Sequence, residues 1–195
     1  MILTQRFFFI SFLLLFGCSN DIVPKPQSCA DLVNYSTNKN GTSAFTWACE
    51  LGCKKYVEEH INDVDINEEN AYGVTPLSAA VVGGPGLVSL LAENGADLHH
   101  RDKLTGTSIL GVAIEHSRIK IIDYLLSRGV NPNLPSDNKI GYYPIHMAVL
   151  FNQPEVLQLL IRYGAKLDVI NKRGETPRNL AIRANKKELI SLLPK

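Results

Sequence analysis

Gly73-Val74-Thr75-Pro76-Leu77-Ser78-Ala79-Ala80 is a stretch whose pattern returns three times along the chain. Its leading glycine recurs at Gly106, Gly141 and Gly174, in steps of 33, 35 and 33 residues. A second landmark follows the first three copies at matching offsets: a leucine pair and then Gly95, Gly129 or Gly164. Two landmarks that agree over several copies indicate internal repeats of one structural unit.

Each copy predicts a pair of helices. Thr or Ser before the first helix caps its free N–H groups, and Pro fits its first turn because the missing N–H has no partner there. The leucine pairs at helical spacing bury the second helix, and the glycines that follow suit a left-handed end. Small residues let the paired helices approach closely: Ala80, Ala113, Ala148 and Ala181.

These residues resemble the ankyrin repeat, with its Gly-x-Thr-Pro-Leu-His start and Leu-Leu-x-x-Gly-Ala-Asp end. The resemblance implies an all-α solenoid of helix-turn-helix units with hairpin-like loops, about five units including caps, over residues 43–195. A weaker first unit from Ser43 to Ile61 suits an N-terminal cap, and the charged last unit suits a C-terminal cap. Because the stretch from Gly83 to Gly86 is one residue short, we expect the helix after it to begin late.

The N-terminus predicts a targeting segment. Arg6 precedes ten mostly apolar residues, a run that rises only about 15 Å as a helix and is too short to span a bilayer. Leu15-Phe16-Gly17-Cys18 resembles the lipobox of bacterial lipoproteins, which implies a signal peptide over 1–17 and a lipid on Cys18. A plain signal peptide with an incidental Cys, or an uncleaved anchor, is the alternative.

The lipoprotein resemblance also implies a location and a division of the N-terminal region. Ser19 after the Cys implies the periplasmic side of the outer membrane of a Gram-negative bacterium, with the protein held there by its lipid. Residues 18–28 are the lipidated Cys and a polar tether, and residues 29–42 are an N-terminal segment before the repeats.

Overall composition is that of an ordinary globular protein. The 195 residues contain 20 Lys and Arg against 19 Asp and Glu, with a net charge of +1. A charge so near zero provides no basic field for a phosphate backbone, so we expect no nucleic-acid partner. Removal of residues 1–17 takes away Arg6 and leaves a neutral chain. Such a chain selects its partner by shape and local charge.

Three cysteines remain after Cys18, and the predicted compartment is oxidising. Cys49 and Cys53 are four residues apart at a helix end and could pair only with local distortion. Cys29 could instead join the N-terminal segment to the first unit through either of them. The sequence leaves the pairing open among Cys29, Cys49 and Cys53.

Motifs for catalysis are absent from the sequence. It contains no G-x-S-x-G elbow, no phosphate-binding glycine loop and no H-E-x-x-H. His99 and His100 are adjacent, and we expect both to be solvated loop residues, since neighbouring side chains on a hairpin point apart. The ankyrin resemblance gives His146 a structural role. We therefore expect no enzyme activity, no metal and no cofactor.

The resemblance assigns partner binding to the loop tips and to the exposed face of each first helix. Among the loop residues, the candidates are Tyr72, His99, His100, Arg101, Lys103, Asp137, Asn138, Lys139 and Tyr142. On the first helices, the candidates expected to be exposed are Glu115, His116, Met147, Leu150, Phe151 and Arg183. For Leu150 and Phe151, packing against the next unit is the alternative.

The combined resemblances imply an interaction protein. Lipid-anchored periplasmic ankyrin proteins of this shape resemble immunity proteins, which bind and inhibit antibacterial toxins such as lipase effectors of type VI secretion. The expected partners are thus a toxin or effector enzyme and, through the lipid, a membrane. A scaffold or maturation factor for another envelope protein is the alternative within the same class.

Overall fold

The computed structural model describes residues 25–35, 37 and 40–194. The signal peptide over 1–17, the lipidated Cys18 and most of the tether lie outside the described residues, and these predictions remain predictions. Within the described ranges, no helix combines the length and the apolarity needed to cross a membrane.

Ten α-helices and one short 3-10 helix make up the regular structure of the described residues. The 3-10 helix is Cys29–Asn34. The first helices of the five units are α1 Ala44–Leu51, α3 Pro76–Gly83, α5 Ile109–Glu115, α7 Pro144–Leu150 and α9 Pro177–Arg183. The second helices are α2 Lys54–His60, α4 Pro85–Glu93, α6 Ile119–Ser127, α8 Pro154–Arg162 and α10 Lys187–Leu192.

The helices form two rows, as the all-α solenoid predicts. Each first helix packs on the first helix of the next unit, and from α4 onward each second helix packs on the next second helix. The loops between units carry an isolated β-bridge between Arg101 and Ser108. The predicted fold class, an ankyrin-type solenoid of five helix pairs, is confirmed.

Local chemistry sets where these helices begin and end. The side-chain oxygens of Ser43, Thr75, Ser108 and Thr176 each accept a hydrogen bond from the backbone N–H three residues further on. In the fourth unit Tyr143 stands at this position and makes no side-chain cap, although Pro144 still begins the helix. The glycines after α4, α6 and α8 have φ values of 92°, 85° and 81°, which favour glycine over other residues.

The joint between α3 and α4 differs from the sequence prediction. The prediction that α4 begins late was wrong: Pro85 begins it directly after Gly84, which has a φ of 124° and reverses the chain in one step. A Cβ on Gly83 would lie 1.9 Å from the carbonyl oxygen of Cys49. Glycine at this position is therefore what allows α3 to lie so close to α1.

The N-terminal segment is fastened to the first unit. Cys29 and Cys53 form a disulfide, one of the pairings that the sequence left open, and Cys49 remains a buried free thiol. Burial raises the pKa of that thiol, with a smaller contribution from Glu68. Trp47 donates its indole N–H to the Tyr35 hydroxyl at 2.8 Å, and Lys25 Nζ lies 4.7 Å from the Trp47 ring centroid. The segment thereby covers the open side of α1.

Candidate partner-binding groove

A groove lies between the loops and the first helices of the first three units. Its cavity is about 80 Å³, and its apolar floor consists of Val74, Ala79, Val82, Leu104 and Val112. The other residues that line it are Glu50, Tyr72, Ser78, Asp102, Thr105, Thr107, Glu115 and His116. An apolar concavity with a few polar groups at its wall is the usual form of a binding site.

The wall of the groove is acidic. Three carboxylates line it, from Glu50, Asp102 and Glu115, and none of the described lining residues is Lys or Arg. Glu50 accepts a hydrogen bond from Lys25 Nζ at 2.6 Å. Burial lowers the pKa of His116, and the nearby charge of Arg118 lowers it further. The imidazole therefore stays neutral at pH 7.

Asp102 is held rigidly in this wall. Its carboxylate accepts backbone N–H bonds from Leu104 at 3.0 Å, Thr105 at 2.7 Å and Thr107 at 2.9 Å. These donors are neutral amides, so they fix the position of the carboxylate without cancelling its charge. Leu104 projects from the same turn with 53% of its surface exposed.

Sequence reasoning placed three residues in this groove and missed most of its floor. Tyr72, Glu115 and His116 belong to the lining, as candidates for partner contact. Leu104 and Val112 were not singled out. An apolar side chain within the polar loop between Lys103 and Thr105 was the signal that could have indicated Leu104.

The two adjacent histidines behave differently from each other. His99 is exposed, as expected, whereas the prediction that His100 is solvated was wrong. The Nε2 atom of His100 lies 2.9 Å from the Gly73 carbonyl oxygen, and its Nδ1 atom lies 3.6 Å from Glu69. Lys103 also pairs with Glu69. His100 thus joins its loop to the preceding one and has only 12% of its side chain exposed.

Arg101 likewise holds two loops together. Its Nη1 donates to the carbonyl oxygens of Gly106 at 3.0 Å and Pro135 at 2.7 Å, and lies 3.6 Å from Asp137. In the longer loop, Asn138 accepts backbone N–H bonds with its side chain. Asp137 and Lys139 of this loop are exposed and remain available to a partner.

The first-helix candidates of the fourth unit are mostly packed rather than free. The prediction that Met147 is exposed was wrong: it is 6% exposed. The reason lies in the neighbouring unit, since the Met147 side chain packs beside Gly111, where an added Cβ would be 3.5 Å from its Sδ. Phe151 is half-buried against the core, which corrects its predicted exposure, whereas Leu150 is 36% exposed.

Tyr142 and His146 pack against each other in the same unit. Their ring centroids are 6.0 Å apart, and Tyr142 is half-buried. His146 is fully buried, and its Nε2 lies 2.9 Å from the Glu175 carbonyl oxygen in the last unit. Burial lowers the pKa of His146, and the hydrogen bond to Glu175 opposes that shift. Arg183, the remaining candidate, is exposed and pairs with the Glu175 carboxylate.

No group of three or more His, Cys, Asp or Glu side chains in the described ranges is arranged to hold a metal ion. The polar groups described above serve as caps, turn contacts and links between units. What the groove can do chemically is to enclose an apolar group and offer carboxylates beside it.

Comparison with known proteins assigns the family. Residues 9–102 match a model of three ankyrin repeats, and residues 110–161 match a second ankyrin-repeat model. The chain belongs to the ankyrin-repeat proteins, and its repeats constitute a protein–protein interaction module. Neither matched model is that of a catalytic family.

Several curated proteins are similar to this chain. The putative ankyrin repeat protein FPV031 of fowlpox virus is 30% identical over 145 residues, which are 71% of this chain and 42% of that protein. The rat ankyrin repeat and SAM domain-containing protein 6 is 34% identical over 134 residues, 67% of this chain and 15% of the relative. Human neurogenic locus notch homolog protein 1 is 33% identical over 135 residues, which are 62% of this chain and 5% of that protein. The chain spans less than half the length of each of these relatives.

Proposed function

We propose that this chain is a lipid-anchored protein of the bacterial envelope that binds an antibacterial toxin, such as a lipase effector, and inhibits it. The observation that carries the proposal is the groove, an apolar concavity open to solvent on a fold that binds proteins. The ankyrin repeats indicate a protein-binding module, and the lipobox resemblance at Cys18 supports the proposed membrane location.

The disulfide supports an extracytoplasmic location. Cys29 and Cys53 are joined in the structure, and structural disulfides persist in oxidising compartments such as the periplasm. A toxin delivered to the periplasm would meet the protein there. Anchoring at Cys18 would hold it at the membrane that a lipase attacks, and Cys18→Ser should move the protein from the membrane fraction to the soluble fraction.

Inhibition would follow from enclosure of a toxin segment. The groove encloses a side chain of the toxin, and Leu104, which lines the groove and is 53% exposed, adds apolar contact there. A standard interface of roughly 1,600 Å² fits on an array of this size and can cover an active-site entrance. The protein itself needs no catalytic group for this role.

The test is protection of a susceptible cell by the full chain against the toxin encoded by the adjacent reading frame. Leu104→Glu places a charge over the apolar floor and should weaken toxin binding at least tenfold and abolish protection. Val33→Glu is the matched control, because Val33 is 79% exposed on the 3-10 helix outside the groove. It should retain both binding and protection.

Two outcomes would overturn the proposal. One is that the wild-type chain protects against no toxin from neighbouring frames. The other is that Leu104→Glu and Val33→Glu protect equally well. A bound partner whose activity persists in the complex would indicate instead a scaffold or maturation factor.

A further inference from the structure

The overall neutrality of the chain conceals a gradient of charge along the solenoid. Residues 40–105 carry 10 Asp and Glu against 4 Lys and Arg. Residues 106–161 carry 4 of each sign, and residues 162–194 carry 3 acidic against 8 basic residues. Charges more than about 8 Å apart are largely screened at physiological salt, so a partner senses the local sign and not the total.

The same gradient is present on the face that lines the groove. One repeat position at the C-terminal end of the first helix, the last residue or the last but one, is occupied in turn by Glu50, Val82, Glu115, Leu150 and Arg183. The first three of these line the groove, and the last is exposed at the far end. The groove is therefore at the acidic end of the molecule, and basic residues lie away from it.

The groove combines an apolar floor with an acidic wall, and few side chains suit both. Its floor, with Val82 and Val112, favours an apolar group, whereas Asp102 and Glu115 in its wall favour a cation. A purely apolar occupant would remove water from the charged carboxylate of Asp102 without bringing an opposite charge, which is costly. A compact ammonium on its own would leave the floor uncovered.

We propose that the groove receives an arginine side chain of the partner protein. The three methylene groups of arginine lie on the floor formed by Val82, Leu104 and Val112, and the guanidinium reaches the carboxylates of the wall. Long cationic side chains bury their stems on apolar surface in this way, and the planar guanidinium pairs with carboxylates through two donors. The inference rests on the proposed function in one respect, that the groove is the partner-binding surface.

Arginine is also the cation that interfaces favour as an anchor. The charge gradient orients the partner protein that carries this arginine, because basic groups of the partner are attracted to residues 40–105 and repelled by residues 162–194. A partner therefore presents a basic, partly apolar segment to the first three units and acidic groups to the last one.

The test uses the full chain and two synthetic peptides, acetyl-Gly-Leu-Arg-Leu-Gly-amide and the same peptide with citrulline in place of arginine. Citrulline keeps the length and planarity of the side chain and removes its charge. The arginine peptide should shift the NMR methyl signals of Val82, Leu104 and Val112 and bind at least tenfold more tightly than the citrulline peptide.

Two variants distinguish binding in the groove from general electrostatic attraction to the acidic units. Glu115→Gln should weaken binding of the arginine peptide at least fivefold. Glu93→Gln removes an exposed carboxylate from α4, outside the groove, and should change binding less than twofold. Thermal unfolding of each variant shows whether it is folded, and Glu115→Asp, which keeps the charge, should bind like the wild type.

Equal binding of the two peptides, shifts confined to other units, or no binding of either peptide would overturn the inference. These failures are distinct from failure of the proposed function. If the peptides bind equally while Leu104→Glu still abolishes protection, the toxin-binding role stands and the arginine assignment falls. If the arginine peptide binds selectively but no toxin is neutralised, the assignment stands and the immunity role falls.

Discussion

At the scale of single residues, one position in the repeat serves different purposes. Ser78 closes a capping box within its own unit, whereas Gly111 packs beside Met147 and His146 bonds to Glu175, both in the next unit. At Gly111 and His146 the residue therefore meets the neighbouring unit. His146 carries the most distinctive consequence, because it is a fully buried titratable group.

Stability should therefore fall at acidic pH. In the unfolded chain the imidazole of His146 binds a proton near its ordinary pKa of about 6.5, whereas the lowered pKa in the folded chain delays protonation to lower pH. The unfolded state binds more protons in that interval, so the free energy of unfolding decreases as pH falls through about 6.5. Urea unfolding between pH 7.5 and 5 measures this slope.

His146→Gln should flatten that slope, since its amide can still donate to the Glu175 carbonyl but does not titrate. His116→Gln is the comparison, because burial also lowers the pKa of His116. The two histidines together are expected to account for most of the slope in this interval. A slope that neither variant alters would contradict this expectation.

At the scale of helices, the contact between α1 and α3 is the tightest constraint in the first units. It depends on Gly83, where a Cβ would overlap the Cys49 carbonyl oxygen. Gly86, two residues beyond Gly84 in α4, has no heavy atom within 4 Å of an added Cβ. The two glycines belong to one short stretch and have different structural importance.

Gly83→Ala should lower the free energy of unfolding by about 1–3 kcal/mol or more, because α3 must move away from α1. Gly86→Ala should raise it by about 0.4–1 kcal/mol, because alanine restricts the unfolded chain and meets nothing in the folded one. Chemical denaturation of the pair measures the difference. Similar effects of the two substitutions would show that the helix contact tolerates a side chain.

The sequence predicted what depends on chemistry within one unit. The starts of α3, α5 and α9 follow from Thr75, Ser108 and Thr176, whose hydroxyls act on residues three positions away. Features that depend on a neighbouring unit could not be predicted in this way. Met147 is buried because it packs against the neighbouring unit beside Gly111, and Leu104 joins the groove because α3 and α5 meet its loop.

At the scale of the whole molecule, the last unit of the helix rows differs from the units before it. Val81, Ile114 and Val149 occupy one repeat position and are at most 1% exposed, because the next unit covers each of them. At the same position of the last unit, Ile182 is 54% exposed. The last described unit is thus packed on one side only.

Substitution of a covered residue should lower the free energy of unfolding more than substitution of the exposed residue at the same repeat position. Ile114→Ala should lower the free energy of unfolding by about 2–5 kcal/mol, as for other buried aliphatic residues. Ile182→Ala should cost within about 0.5 kcal/mol, the range of ordinary surface substitutions. Hydrogen exchange should also be faster in α9 and α10 than in α5 and α6, since exposed units open first. Uniform protection across the five units would contradict this expectation.

The bond between Cys29 and Cys53 also determines how the molecule bears a mechanical load. Tension applied at Lys25 passes through four peptide links to Cys29, crosses the sulfur atoms, and enters the solenoid at the start of α2. The covalent path bypasses residues 30–52, so the backbone of α1 lies outside it. The disulfide thereby limits how far a pull on Lys25 can separate that residue from Glu50, its partner at one end of the groove.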